Sequence, residues 1–337
     1  MNSGENGSNT AVGIVVIGRN EGARLMRCLR SVCSSGYCVV YVDSGSRDDS
    51  VRTACSLGCA IIELDPNRPF SAARARNQGF WEVMQHQPGL RFVQFLDGDC
   101  VLASGWLDAA QRALLETPEF GAVVGHLQER SPEATQYNRL CALEWKCSPG
   151  DLQEFGGFGG ISMMRVDAFR EVGGFCPDVI AGEDSELGVR LSLAGYRVTR
   201  IDCCMATHDA NITKFSQWWQ RAVRAGHAIG QRAQLNGRSV ARDCVRERNS
   251  TWFWGVIVPL LILVLILPTQ GASLALLAGY VYLGGRVFKT RRRNGDSVAD
   301  AWLYTRFLLL AKLANGIGLI RFYLNKLRKR YLLIEYK

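Results

Sequence analysis

The amino-acid sequence predicts an α/β fold, a doubly wound and mostly parallel sheet followed by a C-terminal membrane-associated helical region. Short apolar, β-branched runs alternate with helix-spaced segments from residue 12 to residue 97, the rhythm of parallel strands joined by crossover helices. Several of those runs end in polar or acidic loops, which such a sheet gathers along one edge. Past residue 250, two dense apolar runs sit between basic flanks.

The elements follow in order. Residues 12–17 are a buried strand and residues 18–22 a loop. Residues 23–34 have helical spacing, with Leu25, Cys28, Leu29 and Val32 on one face. A second strand, 39–43, ends in Asp43, and the turn 44–50 leads into a helix through Leu57. Residues 60–64 are a third strand and residues 70–86 a helix. The fourth strand is Phe92-Val93-Gln94-Phe95-Leu96-Asp97, which runs into Gly98-Asp99-Cys100. A helix at 106–115, a strand at 122–127 and a helix at 135–147 come next. The glycine-dense segment 154–160 reads as a loop where backbone approaches a ligand or another strand closely. A strand at 161–164 and a helix at 167–172 precede Gly173-Gly174-Phe175. A helix then opens at Glu183-Asp184 and ends at Gly195. Residues 197–201 are a last strand, with His208 in the loop beyond it.

Composition narrows the function. The chain has 337 residues, room for two compact domains or one domain with an appendage. Its net charge of +9 is concentrated beside the apolar runs, at 238–248, 291–293 and 326–330. That pattern points to an anionic membrane surface rather than nucleic acid. The 12 cysteines show no C-x-x-C spacing, which fits thiols kept reduced better than a disulfide framework or a zinc site. Residues 1–10 are polar and are expected to be disordered; they lack the basic and apolar regions of a signal peptide, so the N-terminal domain is expected to stay in the cytoplasm. Neither G-x-G-x-x-G after the first strand nor G-x-x-x-x-G-K-[ST] is present, which disfavours dinucleotide dehydrogenases and P-loop NTPases.

The carboxylates carry the candidate chemistry. Asp97 and Asp99 end a buried strand, and Gly98 lets the backbone turn between them. Two carboxylates so placed suit a hard divalent ion that also holds phosphate oxygens. An acidic turn without a ligand accounts for the stretch equally well. Glu183 and Asp184 at a helix start are also accounted for by the helix dipole alone.

Taken together, Val42-Asp43-Ser44-Gly45-Ser46-Arg47-Asp48, Ala75-Arg76-Asn77, Leu96-Asp97-Gly98-Asp99, Gly173-Gly174-Phe175 and Glu183-Asp184 with Leu187-Gly188, Arg190 and Ala194-Gly195-Tyr196 resemble glycosyltransferase family 2 over residues 11–210. The resemblance implies a GT-A fold, a nucleoside-diphosphate sugar donor, a Mg²⁺ or Mn²⁺ cofactor and inversion at the anomeric carbon. It implies that Asp43, Asn20 and Glu21 line the nucleoside pocket, and that Arg74, Arg76 and Asn77 lie on the donor side. Asp97 and Asp99 match the D-x-D motif: Asp99 for the metal, Asp97 for ribose or metal. His208 matches a further metal contact of some relatives. Asp184 matches the general base, with Glu183, Gly157 and Trp218 on the acceptor side. Two departures stand out. Ser44 occupies the place of a second Asp in many members. The Q-x-x-R-W motif of processive synthases is missing from 217–224, which favours transfer of a single sugar.

Residues 211–249 read as interfacial or linker helices: Trp218, Trp219 and several Arg suit headgroup depth, and an ordinary amphipathic helix packed on the domain accounts for 215–235 equally well. The apolar runs 252–267 and 272–288, joined by Pro268-Thr269-Gln270-Gly271, make 250–290 a transmembrane hairpin with cytoplasmic basic flanks. Residues 291–337 hold an amphipathic or third membrane helix and a basic tail; Arg306, Lys312 and Arg321 favour the in-plane form. The expected protein is thus an inner-membrane enzyme with a cytoplasmic catalytic domain. It moves one sugar to a lipid-linked glycan or saccharide acceptor in exopolysaccharide- or lipopolysaccharide-type assembly, with no nucleic-acid partner. A polyprenyl-phosphate glycosyltransferase and a non-catalytic sugar-nucleotide-binding scaffold are the rival readings.

Overall fold

A computed structural model describes residues 11–33, 36–152 and 158–328. The first ten residues, Gly157 and the end of the basic tail, for which the sequence carries expectations, lie outside the described residues. The chain divides into two compact units: Met1–Arg130 with Trp145–Ala210, and Ser131–Glu144 with Asn211–Lys337.

The first unit is built on one mixed sheet. Its strands are β1 (Val12–Gly18), β2 (Cys38–Asp43), β3 (Ala60–Glu63), β4 (Phe92–Asp97), β5 (Cys100–Leu102), β6 (Phe120–Glu129), β7 (Gly150–Asp151), β8 (Ser162–Arg165) and β9 (Arg197–His208). The order is β3-β2-β1-β4-β8-β6-β9-β5, with β7 also on β9. Pairing is parallel from β3 to β4, as the alternating rhythm predicts. It then turns mixed: β8 runs antiparallel to β4 and β6, β9 parallel to β6, and β5 antiparallel to β9.

Helices α1 (Ala23–Cys33), α2 (Ser50–Ser56), α3 (Ala72–His86) and α4 (Trp106–Glu116) fall in the predicted segments. Ser71 caps α3, its hydroxyl accepting the amide of Arg74. Gly79 lets α3 settle on the sheet: a Cβ there would lie 2.3 Å from a Val15 methyl. The core so formed buries Val15, Val42, Phe80, Val83, Phe92 and Phe95.

Two differences from the sequence reading matter for function. First, β9 continues seven residues past 201, so His208 ends a strand rather than sitting in a loop. Strand β5 faces it with Cys100 opposite His208, and that short strand was not predicted. Second, α5 (Gln136–Glu144) groups with the second unit. Arg139 forks onto both oxygens of Asp300 at 2.8 and 2.9 Å, and Tyr137 stacks edge-on to Phe307.

After α6 (Val166–Glu171) and α7 (Glu183–Leu193) in the first unit, the second unit adds α8 (Phe215–Leu235), α9 (Val245–Trp252), a π-turn (Phe253–Ile257) and α10 (Val258–Leu265). A 3₁₀ turn (Ala272–Leu276), α11 (Leu277–Arg293) and α12 (Val298–Leu327) complete it. Helices α8 and α12 pack through small residues: a Cβ on Gly226 would strike the Asn315 backbone and one on Gly318 the Val223 carbonyl. Tyr280 donates to the Trp254 carbonyl and Ser273 to that of Ile262, which closes the 252–288 hairpin. Among the described residues, Val245–Leu265 and Val298–Leu327 are long and apolar enough to cross a membrane. The run 272–288 is split by the 3₁₀ turn and is not one of these.

Candidate active site

Three polypeptide ends in the first unit bring the acidic residues together. Strand β4 delivers Asp97 and, through Gly98, Asp99; the Gly98 amide donates to the Ile17 carbonyl of β1 and fixes the turn. Helix α7 opens with Glu183 and Asp184, following Gly182 in a left-handed conformation (φ 72°). Arg76, one turn into α3, ties the two together. Its Nη1 donates to Glu183 Oε1 at 2.6 Å and its Nη2 to Asp97 Oδ1 at 2.7 Å. The Arg76 side chain is 3% exposed and lies over the Phe175 ring. Burial disfavours its charge, but Asp97 and Glu183 outweigh that and raise its pKa. Gly160 lies against the guanidinium, with no room for a side chain.

Asp184 accepts the Gly159 amide at 2.8 Å on Oδ2. Burial first, and then the neighbouring Glu183 charge, push its carboxyl above the ordinary value. A carboxylate held partly toward its protonated form is a better proton acceptor than a free one.

Asp99 is buried, and its Oδ2 lies 3.5 Å from His208 Nε2. These two and Cys100 have ligand atoms within 4.8 Å of one another. A carboxylate oxygen and an imidazole nitrogen so placed fit a divalent ion such as Mn²⁺. Glu129 Oε2 sits 3.7 Å from His208 Nδ1, on the far side of the ring, and also accepts the Ala210 amide. Trp145 packs edge-on to the same imidazole. Glu129 is a residue the sequence reading missed. Its run His126-Leu127-Gln128-Glu129-Arg130 looks like a polar strand end, and only the pairing of β6 with β9 places it beside His208.

The residues expected to line the nucleoside pocket form a second cluster. Asp43 accepts the Tyr41 hydroxyl at 2.8 Å and the Ser46 amide at 2.7 Å, and burial and that carboxylate raise the tyrosine pKa. Asn20 interlocks with the same turn: its amide donates to Ser46 Oγ and its side chain accepts the Arg47 amide. Glu21 pairs with Arg24. Two candidates hold the scaffold instead of pointing at open space. Arg74 donates to the carbonyls of Arg68, Pro69 and Asp65. Asn77 clamps Phe175 through both its amide and its carbonyl. Trp218 belongs to the second unit, buried edge-on to Phe307.

A sequence profile of the family described as Glycosyl transferase family 2 matches residues 13–173, and one described as the N-terminal domain of galactosyltransferase matches residues 150–215. Glycosyltransferase AglE of Haloferax volcanii is 24% identical over 330 residues, 93% of this chain and 96% of that protein. The pre-mycofactocin glycosyltransferase of Mycobacterium tuberculosis is 27% identical over 94% of this chain, which spans 66% of that protein's length. Among solved structures, the mannosyltransferase PcManGT of Pyrobaculum calidifontis, in complex with GDP-Man and Mn²⁺, superposes with a TM-score of 0.60 at 18% identity, covering 94% of this chain and 88% of that one. Residues 1–349 of S. aureus TarS superpose with a TM-score of 0.54 at 12% identity, covering 95% and 92%. These likenesses establish the GT-A fold.

Proposed function

Because this chain belongs to glycosyltransferase family 2, we propose that it moves one sugar from a nucleoside-diphosphate sugar to a hydroxyl of a lipid-linked glycan acceptor at the cytoplasmic face of a membrane, with inversion. The observation that carries this reading is the Arg76 bridge. It couples the D-x-D strand end to the start of α7, so that a leaving-group side and an acceptor side belong to one site.

In this reading Asp184 takes the proton from the acceptor hydroxyl. The acceptor oxygen bonds to the anomeric carbon on the face opposite the departing diphosphate, which inverts that centre. Asp43, Asn20 and Glu21 hold the nucleoside and Asp97 the ribose. Glu183 and Arg76 position Asp184 and Asp97. Asp99 and His208 would hold a divalent ion, Mn²⁺ or Mg²⁺, whose Lewis acidity stabilises the leaving diphosphate. The PcManGT complex with GDP-Man and Mn²⁺ supports a donor of this class and a metal of this kind. The apolar helices Val245–Leu265 and Val298–Leu327 support a membrane-borne acceptor.

The test is transfer from a panel of nucleotide sugars with Mn²⁺, comparing a lipid-linked saccharide in vesicles with the same saccharide free in solution. Preference for the lipid-linked form is expected. Transfer confined to polyprenyl phosphate, or donor binding with neither transfer nor hydrolysis, would overturn the acceptor or the catalytic assignment respectively.

A further inference from the structure

Behind the nucleoside cluster lies a pair of thiols with no part in transfer. The Sγ atoms of Cys33 and Cys59 are 3.2 Å apart, in direct contact, although the residues stand 26 positions apart in sequence. Cys33 ends α1 and Cys59 directly precedes β3, and both pack against the hydrophobic core of the sheet. Both are half-buried: packed enough to hold their places, open enough for a small oxidant. A disulfide needs a sulfur separation of about 2.05 Å, so closure takes roughly 1 Å of sulfur movement. Contact with Cys59 lowers the Cys33 thiol pKa against the opposing effect of burial. The intervening segment is not arbitrary. It contains β2, Asp43 and the turn whose Ser46, Arg47 and Asp48 hydrogen-bond to Asn20 and Gly22.

We propose that Cys33 and Cys59 form a reversible disulfide site, closed by a low-molecular-weight disulfide such as oxidised glutathione, which staples the segment bearing the nucleoside pocket. The Cys33 thiolate attacks one sulfur of glutathione disulfide and displaces a glutathione thiolate. The Cys59 thiolate then attacks the Cys33 sulfur and displaces the second. The two protein thiols lose two electrons and two protons, and two glutathione thiols carry them away. The proposal stands apart from the transfer reading and survives its failure.

The test is differential alkylation and peptide mapping of the full chain after treatment with oxidised glutathione, with and without subsequent reduction. A Cys33–Cys59 cross-linked peptide is expected, reversed by dithiothreitol, together with a rise of several degrees in the unfolding midpoint that Cys33→Ser and Cys59→Ser abolish. The exposed thiols of Cys55 and Cys147 serve as internal controls. If those two become glutathionylated while Cys33 and Cys59 stay free to alkylate, or if Cys33 crosslinks elsewhere, the proposal is overturned. The map on the unmutated chain decides even where a serine variant fails to fold.

Discussion

Replacing Arg76 with Met keeps most of the side-chain volume and removes one charge from between two. In the folded protein that guanidinium is the shared partner of Glu183, whose side chain is 10% exposed, and Asp97, whose side chain is 33% exposed. Removing one member of a buried ion pair costs about 3–5 kcal/mol, because the other is left charged and desolvated. Asp97 is a third exposed, so water screens much of its share, and the expected cost is about 3 kcal/mol, carried mainly by Glu183. For a domain of this size that lowers the unfolding midpoint by roughly 6–12 °C. The assay is thermal unfolding of the full chain followed by tryptophan fluorescence, with turnover measured in parallel. A second substitution separates causes. If the loss comes from an unpaired buried carboxylate, Glu183→Gln in the Arg76→Met background should recover about half of it. An Arg76→Met protein within about 1 kcal/mol of the parent and of normal turnover would refute the view that this bridge assembles the site.

Asp184→Asn is expected to lower kcat by about 10²–10⁴-fold with donor affinity unchanged, as removal of a general base should, and near-normal turnover would exclude Asp184 from that role. Its carboxyl is raised, so activity should fall as pH drops through a value above 3.8, and the acid limb should vanish in Asp184→Asn. The same raised value means that ionised Asp184 destabilises the fold at neutral pH, so the Asn variant should unfold at an equal or higher temperature; a lower one would contradict this. His208→Ala should weaken Mn²⁺ binding, read by titration without substrate, and Glu129→Gln should weaken it about 10-fold by removing the carboxylate charge 3.7 Å from the other ring nitrogen; unchanged binding in both would remove His208 from the metal site. His227 in α8 is fully buried, and among the described residues neither ring nitrogen has a hydrogen-bond partner. Burial lowers its pKa from 6.5 to about 4, so stability is complete above pH 6.5 and declines as pH falls towards 4. His227→Leu should flatten that decline by roughly 3 kcal/mol in denaturant titrations, and an unchanged slope would show that another group causes it.

The sheet edge was legible in the sequence because its signal is local. Strands β2 and β4 are apolar runs that stop at Asp43 and Asp97, and nothing beyond the run itself is needed to see it. What such runs do not encode is direction, so β8 was found as a strand while its antiparallel pairing was not. Strand β9 was cut short at Ile201 because Asp202-Cys203-Cys204 breaks the apolar pattern. The structure accommodates that break with register shifts around His126 and Cys204 instead of ending the strand. His208 and Glu129 therefore meet through a pairing that no local window contains. Arg76 shows the same limit from another side. Its motif marked it as a site residue, but its two partners lie 21 and 107 positions away. Likewise α5 lies within the 11–210 stretch that carries the resemblance, and the pairing of its Arg139 with Asp300, across 161 positions, is not visible in any local window.

The electrostatics of the site give the arrangement its logic. Asp97 and Glu183 share the buried Arg76 guanidinium, and Asp99 and Asp184 are buried beside them in sequence, so among these residues carboxylate charge exceeds cationic charge. A diphosphate entering that field meets repulsion from Asp97 and Asp99. On the proposed reading, donor affinity must then depend on a bound cation, and the surplus of carboxylates is what holds the cation. Arg76 cannot take over that task. Both its outer nitrogens already face carboxylates, and its side chain is closed off by Phe175 and Gly160. Nucleotide sugar should therefore bind far more weakly without a divalent ion. That loss should shrink in Asp99→Asn, where one repelling charge is gone, even though turnover falls. If Asp99→Asn bound the donor no better than the parent in the absence of metal, repulsion at the D-x-D turn would not be the reason for metal dependence.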